Sequence, residues 1–167
     1  CLPFWRRRPD LLWSILVSAL ISTAVVNSLK PLLAVSRPVL ALGDSVHVIG
    51  TVYKKYAFPS GHSATLFIIA AILWRGGLRR RWAIAALVTA TVASLSRCVV
   101  GAHWPTDVLG GAAIGWLSGM LGLEVGTRSL SLGARSGLLR LGQAGVAGCA
   151  VVLLVGYDAG YPQASLF

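Results

Sequence analysis

Residues 96–107 read Ser-Arg-Cys-Val-Val-Gly-Ala-His-Trp-Pro-Thr-Asp, and from Pro105 an apolar run continues to Val125. This stretch decides the fold. It crowds Arg97, His103 and Asp107 against a segment about as long as the roughly 20 residues that a helix needs to cross a bilayer. Pro105 suits the first helical turn, where a missing N–H loses no hydrogen bond. Gly111, Gly115 and Gly119 then recur at four-residue intervals, with Ser118 and Gly122 close by, a pattern that lets another helix backbone approach closely. His103 and Asp107 fall on, or close to, one face of the opening turn, and by themselves would be no more than an i, i+4 pair.

Outward from this stretch the sequence holds four more apolar runs, at 11–29, 60–74, 82–96 and 143–157. Five such runs in 167 residues fit a polytopic, all-α transmembrane bundle forming a single domain over 1–167, and fit soluble core helices poorly. Asp10 is the expected N-cap of the first run, and Lys30-Pro31 its expected end. The runs at 60–74 and 82–96 are short for a full span, which suits helices whose outer ends stop below the membrane surface and leave a depression. Between Pro31 and Pro59 the chain is mixed. The alternation Val46, Val48, Val52 there reads as a short hairpin or an irregular lid.

Composition supports the membrane reading. Hydrophobic residues make up 56% and charged residues 12% of the chain, against the near-quarter charge of soluble domains, and disorder is excluded on the same ground. The net charge of +10 does not imply nucleic acid, because the basic residues sit in short clusters between apolar runs. Ten of the fifteen fall on one side of the expected bundle: Arg6, Arg7, Arg8, Arg75, Arg79, Arg80, Arg81, Arg128, Arg135 and Arg140. That side is expected to be cytoplasmic. Trp5, Trp13, Trp74 and Trp82 near it, and Tyr53, Tyr56, Tyr157 and Tyr161 on the other, read as interfacial belts or as incidental aromatics. Cys1, Cys98 and Cys149 show no metal-ligand spacing, and the five acids are scattered, so no metal or other cofactor is expected. Arg6–Arg8 and the run after them lack a small-residue cleavage site and do not read as a signal peptide.

The polar residues that abut the spans on the outer side form three groups. They are Lys30 with Arg37-Pro38, Pro59-Ser60-Gly61-His62, and Ser96-Arg97 with His103 and Asp107. Singly each has an ordinary reading: a snorkelling cation, a turn before a helix, a satisfied histidine, a helix pair. Jointly they suit a phosphate site. Lys30, Arg37 and Arg97 supply cations, and Ser60 and Gly61 sit where free backbone N–H groups and the positive end of a helix dipole would face an anion. Asp107 can hold one imidazole nitrogen of His103 protonated and leave the other as nucleophile, while His62 can protonate a departing oxygen.

Lys30-x6-Arg37-Pro38, Pro59-Ser60-Gly61-His62 and Ser96-Arg97-x5-His103-x3-Asp107 resemble, in order and spacing, the three signature motifs of the type 2 phosphatidic acid phosphatase superfamily. The resemblance implies a phosphatidic acid phosphatase type 2 / haloperoxidase-like fold and a metal-independent mechanism. In it His103 attacks phosphorus, Asp107 orients His103, and His62 protonates the leaving group. Lys30, Arg37, Ser60, Gly61 and Arg97 bind the phosphoryl oxygens. The implied substrate is a phosphorylated lipid of the prenyl diphosphate, phosphatidylglycerol phosphate, phosphatidic acid or lipid A type. The implied place is a bacterial cytoplasmic membrane, with the site on the periplasmic face.

Family members commonly carry the first motif at the end of the third of six spans. Here it ends the first, so two N-terminal spans are expected to be missing, or the chain is a short form with an extra C-terminal helix. A lipid phosphotransferase using the same intermediate remains an alternative, as does a noncatalytic membrane scaffold, although a scaffold has no use for His62, His103 and Asp107. Lys54-Lys55 reads either as steering an anionic head group or as a solvated charge pair.

Overall fold

A computed structural model describes residues 8–45 and 56–133, with side chains described as far as Arg128. The run at 143–157, the Val46–Val52 alternation and Lys54-Lys55 lie outside the described residues, as do Cys1, Cys149, Arg6, Arg7, Arg135, Arg140, Trp5, Tyr53, Tyr157 and Tyr161.

The first helix, α1, spans Pro9–Leu33, with Pro9 in its first turn. Arg8, not Asp10, holds the N-cap position and makes no side-chain cap. The Asp10 carboxylate instead receives the Arg8 guanidinium at 2.8–3.2 Å, and the same guanidinium donates to the Gly76 carbonyl at 2.8 Å. An acid in the first turn still suits the positive end of the helix. Pro31 lies inside α1 and does not end it. Its ring removes one ladder bond, but the neighbouring carbonyls still need helical partners, so the helix runs one turn further. Ala34, left-handed at φ 45°, closes it by donating its N–H to the Lys30 carbonyl at 3.0 Å.

After four residues without regular structure, α2 occupies Pro38–Leu42 and a 3-10 turn follows at Gly43–Ser45. Helix α3 spans Gly61–Arg75, and its N-cap Ser60 accepts from the Ser63 N–H at 3.4 Å. Fifteen residues extend about 22 Å, short of a roughly 30 Å hydrocarbon core. Helix α4 spans Arg80–Val99 and is longer than the run at 82–96. Arg80 and Arg81 join it because their heads settle over aromatic rings, Arg80 4.2 Å from the Trp74 centroid and Arg81 5.3 Å from that of Trp82. Helix α5 spans Pro105–Gly133. Three segments, Asp10–Leu42, Arg80–Val99 and Pro105–Arg128, are long and apolar enough to cross a membrane. No strand occurs among the described residues.

Helix α5 is the hub, packed along α1 and α3, while α4 leans on α3. The glycines set this arrangement. A Cβ at Gly111 would strike the Ser60 carbonyl, and one at Gly115 the main chain of Ala64, so α3 lies nearly backbone to backbone on α5. Gly122 and Gly126 receive Ser18 and Ser14 of α1 in the same way. Both serines are fully buried because their hydroxyls bond their own helix, Ser14 to Asp10 O at 2.8 Å and Ser18 to Ser14 O at 2.6 Å. Leu11, Ile68, Ile72 and Leu123 form a small apolar core between these helices. Large apolar side chains such as Leu20, Val92, Leu109 and Leu117 point outward. In a bilayer that surface meets lipid, so its exposure carries no hydrophobic cost. The start of α1 and the end of α3 share one end of the bundle; the other end gathers the end of α1, the start of α3, the end of α4 and the start of α5.

Candidate active site

Three connections at this second end carry the polar motifs: residues 34–37, 56–60 and 100–104. Hydrogen bonds lace them together. The Ala57 N–H donates to Val35 O at 2.9 Å, and Arg37 Nη1 donates to Ala102 O at 3.1 Å. Trp104 Nε1 donates to Ser36 O at 2.8 Å, and the Ser60 N–H to Asp107 O at 2.9 Å. Motifs far apart in sequence are thus held through main-chain carbonyls, two of which accept from the Arg37 and Trp104 side chains.

The third motif is built from its backbone. The Arg97 carbonyl ends α4 by accepting from the N–H groups of Ala102 at 3.0 Å and His103 at 3.2 Å, with Gly101 turning the chain at φ 69°. A positive φ at that point favours glycine. Trp104 then stands just before α5, and Asp107 Oδ2 reaches back to its N–H at 2.8 Å, an acid in the first turn satisfying an orphan donor as in a capping box. The same oxygen lies 3.4 Å from His103 Nδ1. Both side chains are buried. A carboxylate only accepts, so this contact assigns the ring proton to Nδ1 and the lone pair to Nε2. At 3.4 Å the bond is long, as such bonds often are before a substrate closes on the site.

His103 lies in the connection between α4 and α5. Burial pushes its pKa down from 6.5 to about 4, and the positive charges of Arg37, Arg97 and Lys30 push the same way against a hydrogen bond to the Ala57 backbone. The ring is therefore neutral at ordinary pH. Lys30, Arg37 and Arg97 also act on His62, so one set of three cations bears on both histidines. Arg97 Nε and Asp107 Oδ1 are buried with no hydrogen-bond partner among the described residues. Buried polar groups are seldom left so, and these two belong to residues on either side of one histidine.

All eight residues expected from the sequence lie at this end. His62 is exposed in the first turn of α3, while Lys30 and Arg37 are half-buried. Ser60 donates its N–H to Asp107 O, and its buried Oγ accepts from the Ser63 N–H and, at 3.1 Å, from the Ser63 hydroxyl. The donors without an intrahelical acceptor at the start of α3 are those of Gly61 and His62, since the helical ladder starts with Ala64 N–H to Ser60 O. The sequence reading missed Trp104 and Ser63. Trp104 had a signal, because an indole N–H beside a buried histidine generally needs a partner. Ser63 had none, since its role arises only once Ser60 caps the helix. Among the described residues no group of three His, Cys, Asp or Glu side chains is arranged to hold a metal ion.

Comparison with known proteins places this geometry. The crystal structure of Aquifex aeolicus LpxE superposes with a TM-score of 0.67 at 29% identity, over 74% of this chain and 73% of that one. The lipid A 1-phosphatase of Porphyromonas gingivalis is 43% identical over 68 residues, 40% of this chain and 15% of the relative. The undecaprenyl-diphosphatase of Sulfolobus acidocaldarius is 38% identical over 64 residues, 38% of this chain and 31% of the relative. The chain therefore spans less than a third of either curated relative. A model of the PAP2 superfamily matches residues 11–129, which takes in all three polar motifs from Lys30 to Asp107. With that match over most of its length and an all-helical membrane fold shared with LpxE, the chain belongs to the PAP2 superfamily.

Proposed function

We propose that this integral membrane protein hydrolyses a phosphate monoester or diphosphate of a lipid through a phosphohistidine on His103. The observation that carries the reading is the buried His103–Asp107 pair, with Nδ1 turned to the carboxylate, beneath three cations. His103 Nε2 attacks phosphorus as the P–O bond to the lipid breaks, and His62 gives its proton to the departing oxygen. Water then attacks the phosphohistidine, with His62 as base, and releases inorganic phosphate. Lys30, Arg37 and Arg97 hold the phosphoryl oxygens, with the N–H groups of Gly61 and His62 at the positive end of α3. Ser60 caps α3 through its Oγ as acceptor, and its hydroxyl proton joins these donors to the phosphoryl oxygens.

A lipid substrate follows from the setting. Helix α3 is short, so a head group reaches the site while its chain stays in the bilayer. The relatives named for lipid A and for undecaprenyl diphosphate support the same class. The basic residues Arg8, Arg75, Arg79, Arg80 and Arg81 favour the cytoplasm for their own end of the bundle, which supports a site at the other end, on the outer face of a bacterial cytoplasmic membrane. The domain extends over 1–167, including the apolar run at 143–157.

The test is acid-free quenching of purified protein mixed with a lipid diphosphate labelled at the terminal phosphate. Label is expected on wild type and not on His103→Ala, and it should leave as inorganic phosphate. Unlabelled wild type that still turns over would overturn the intermediate, and label appearing on an acceptor lipid would make the protein a transferase.

A further inference from the structure

The end of the bundle remote from the histidines carries a feature that phosphatase chemistry does not use. A cavity of about 440 Å³ lies between the end of α3 and the start of α4, lined by Leu73, Leu78, Trp82, Ala85, Ala86 and Thr89. Its α4 residues fall at i, i+3, i+4 and i+7, so it is a groove along one helix face. The lining is almost wholly apolar, and Trp82 forms one wall.

Its rim is basic. Arg79, Arg80 and Arg81 are exposed there, with Arg75 at the end of α3. The Arg81 guanidinium stands 5.3 Å from the ring of Trp82, which places a charge at the mouth of the groove. None of these four arginines joins an ion pair among the described residues, because Asp10, Asp107 and Glu124 are engaged by Arg8, His103 and Arg128. The first turn of α4 holds no acid, so its two arginines also oppose the positive end of the helix dipole. An anion seated there offsets both repulsions.

We infer that this groove and its arginine rim form a binding site for an anionic phospholipid, one acyl chain lying in the groove and the phosphodiester head on Arg79–Arg81. Charge decides the occupant: a zwitterionic lipid fills the groove equally well but leaves the rim uncompensated, whereas an anionic head matches it at the depth where juxtamembrane basic clusters meet anionic lipid.

The experiment is native mass spectrometry of the whole chain released from nanodiscs of equimolar phosphatidylglycerol and phosphatidylcholine, with helical content checked by circular dichroism. Wild type is expected to retain phosphatidylglycerol about fivefold over phosphatidylcholine. The double variant Arg80→Gln/Arg81→Gln should lose that preference. Ala85→Trp, which fills the groove and leaves the arginines intact, should lose retained lipid of both kinds. Equal retention of the two lipids by wild type overturns the proposal, as does unchanged phosphatidylglycerol retention in both variants. A dimer retained in place of lipid, abolished by Ala85→Trp, also overturns it.

Discussion

The main-chain N–H of Ser60 donates to the main-chain carbonyl of Asp107 at 2.9 Å. This bond joins the N-cap of α3 to the first turn of α5 and so fixes the two helix starts that carry His62 and the His103–Asp107 pair. It depends on no side chain. Both motifs can therefore be altered chemically without parting the helices.

Asp107→Asn should use this separation. The amide oxygen, held at the Oδ2 position by the Trp104 N–H, can still accept from His103 Nδ1, but the negative charge that stabilises a positive ring is lost. Turnover of a lipid phosphate is expected to fall on the order of 10²–10⁴-fold with thermal unfolding nearly unchanged. Wild-type kcat in this variant would count against the role given to Asp107.

The acid side of the pH profile should reflect His103. Its folded pKa of about 4 lies below the ordinary 6.5, so the folded protein binds fewer protons than the unfolded chain between those values. Stability from this group is complete above 6.5 and is lost as pH falls toward about 4. The ring stays neutral over the same range, so with His103 as the proposed nucleophile kcat/KM should lose no activity to its protonation until near pH 4. Arg37→Gln removes a cation that depresses this ring, and the acid limb should move upward. An unmoved limb would separate Arg37 from His103.

Trp104→Phe keeps an aromatic ring and deletes the indole N–H with its hydrogen bond, Nε1 to Ser36 O at 2.8 Å. The bond ties the first motif's loop to the third. A loss of about 1 kcal/mol is expected, seen as a lowered Tm together with a roughly fivefold fall in kcat/KM. No change in either would show that the loop is held without it.

Gly115→Val brings a side chain against the main chain of Ala64, which cannot turn aside as a flexible side chain can. Destabilisation of about 1–3 kcal/mol or more is expected in detergent unfolding. Leu117→Ala, at a position facing outward, should cost far less. Equal effects at the two sites would contradict the packing of α3 on α5.

The sequence made the helices legible because each is a local matter of apolar length and end signals. Where it erred, a neighbour intervened. Pro31 marked an end on propensity, yet the helix continues to the left-handed Ala34. The run at 82–96 looked short until Trp74 and Trp82 gave Arg80 and Arg81 somewhere to lay their heads. The glycine spacing announced close packing but not the partner, and only the assembled bundle divides it between α3 at Gly111 and Gly115 and α1 at Gly122 and Gly126.

The sequence by itself determined which polar side chains stand at the outer span ends and in what order they come. Lys30, Arg37, His62, Arg97, His103 and Asp107 are read from spacing, because each motif is short enough for its residues to share one helix end or one turn. Only the tertiary structure decided how the motifs meet. Arg37 to Ala102 and Trp104 to Ser36 are bonds across 65 and 68 residues, made by main-chain carbonyls that look alike at every position. A carbonyl has no sequence signature, so the committed Ser60 N–H and the unpartnered Arg97 Nε and Asp107 Oδ1 appear only when the helix ends are brought together.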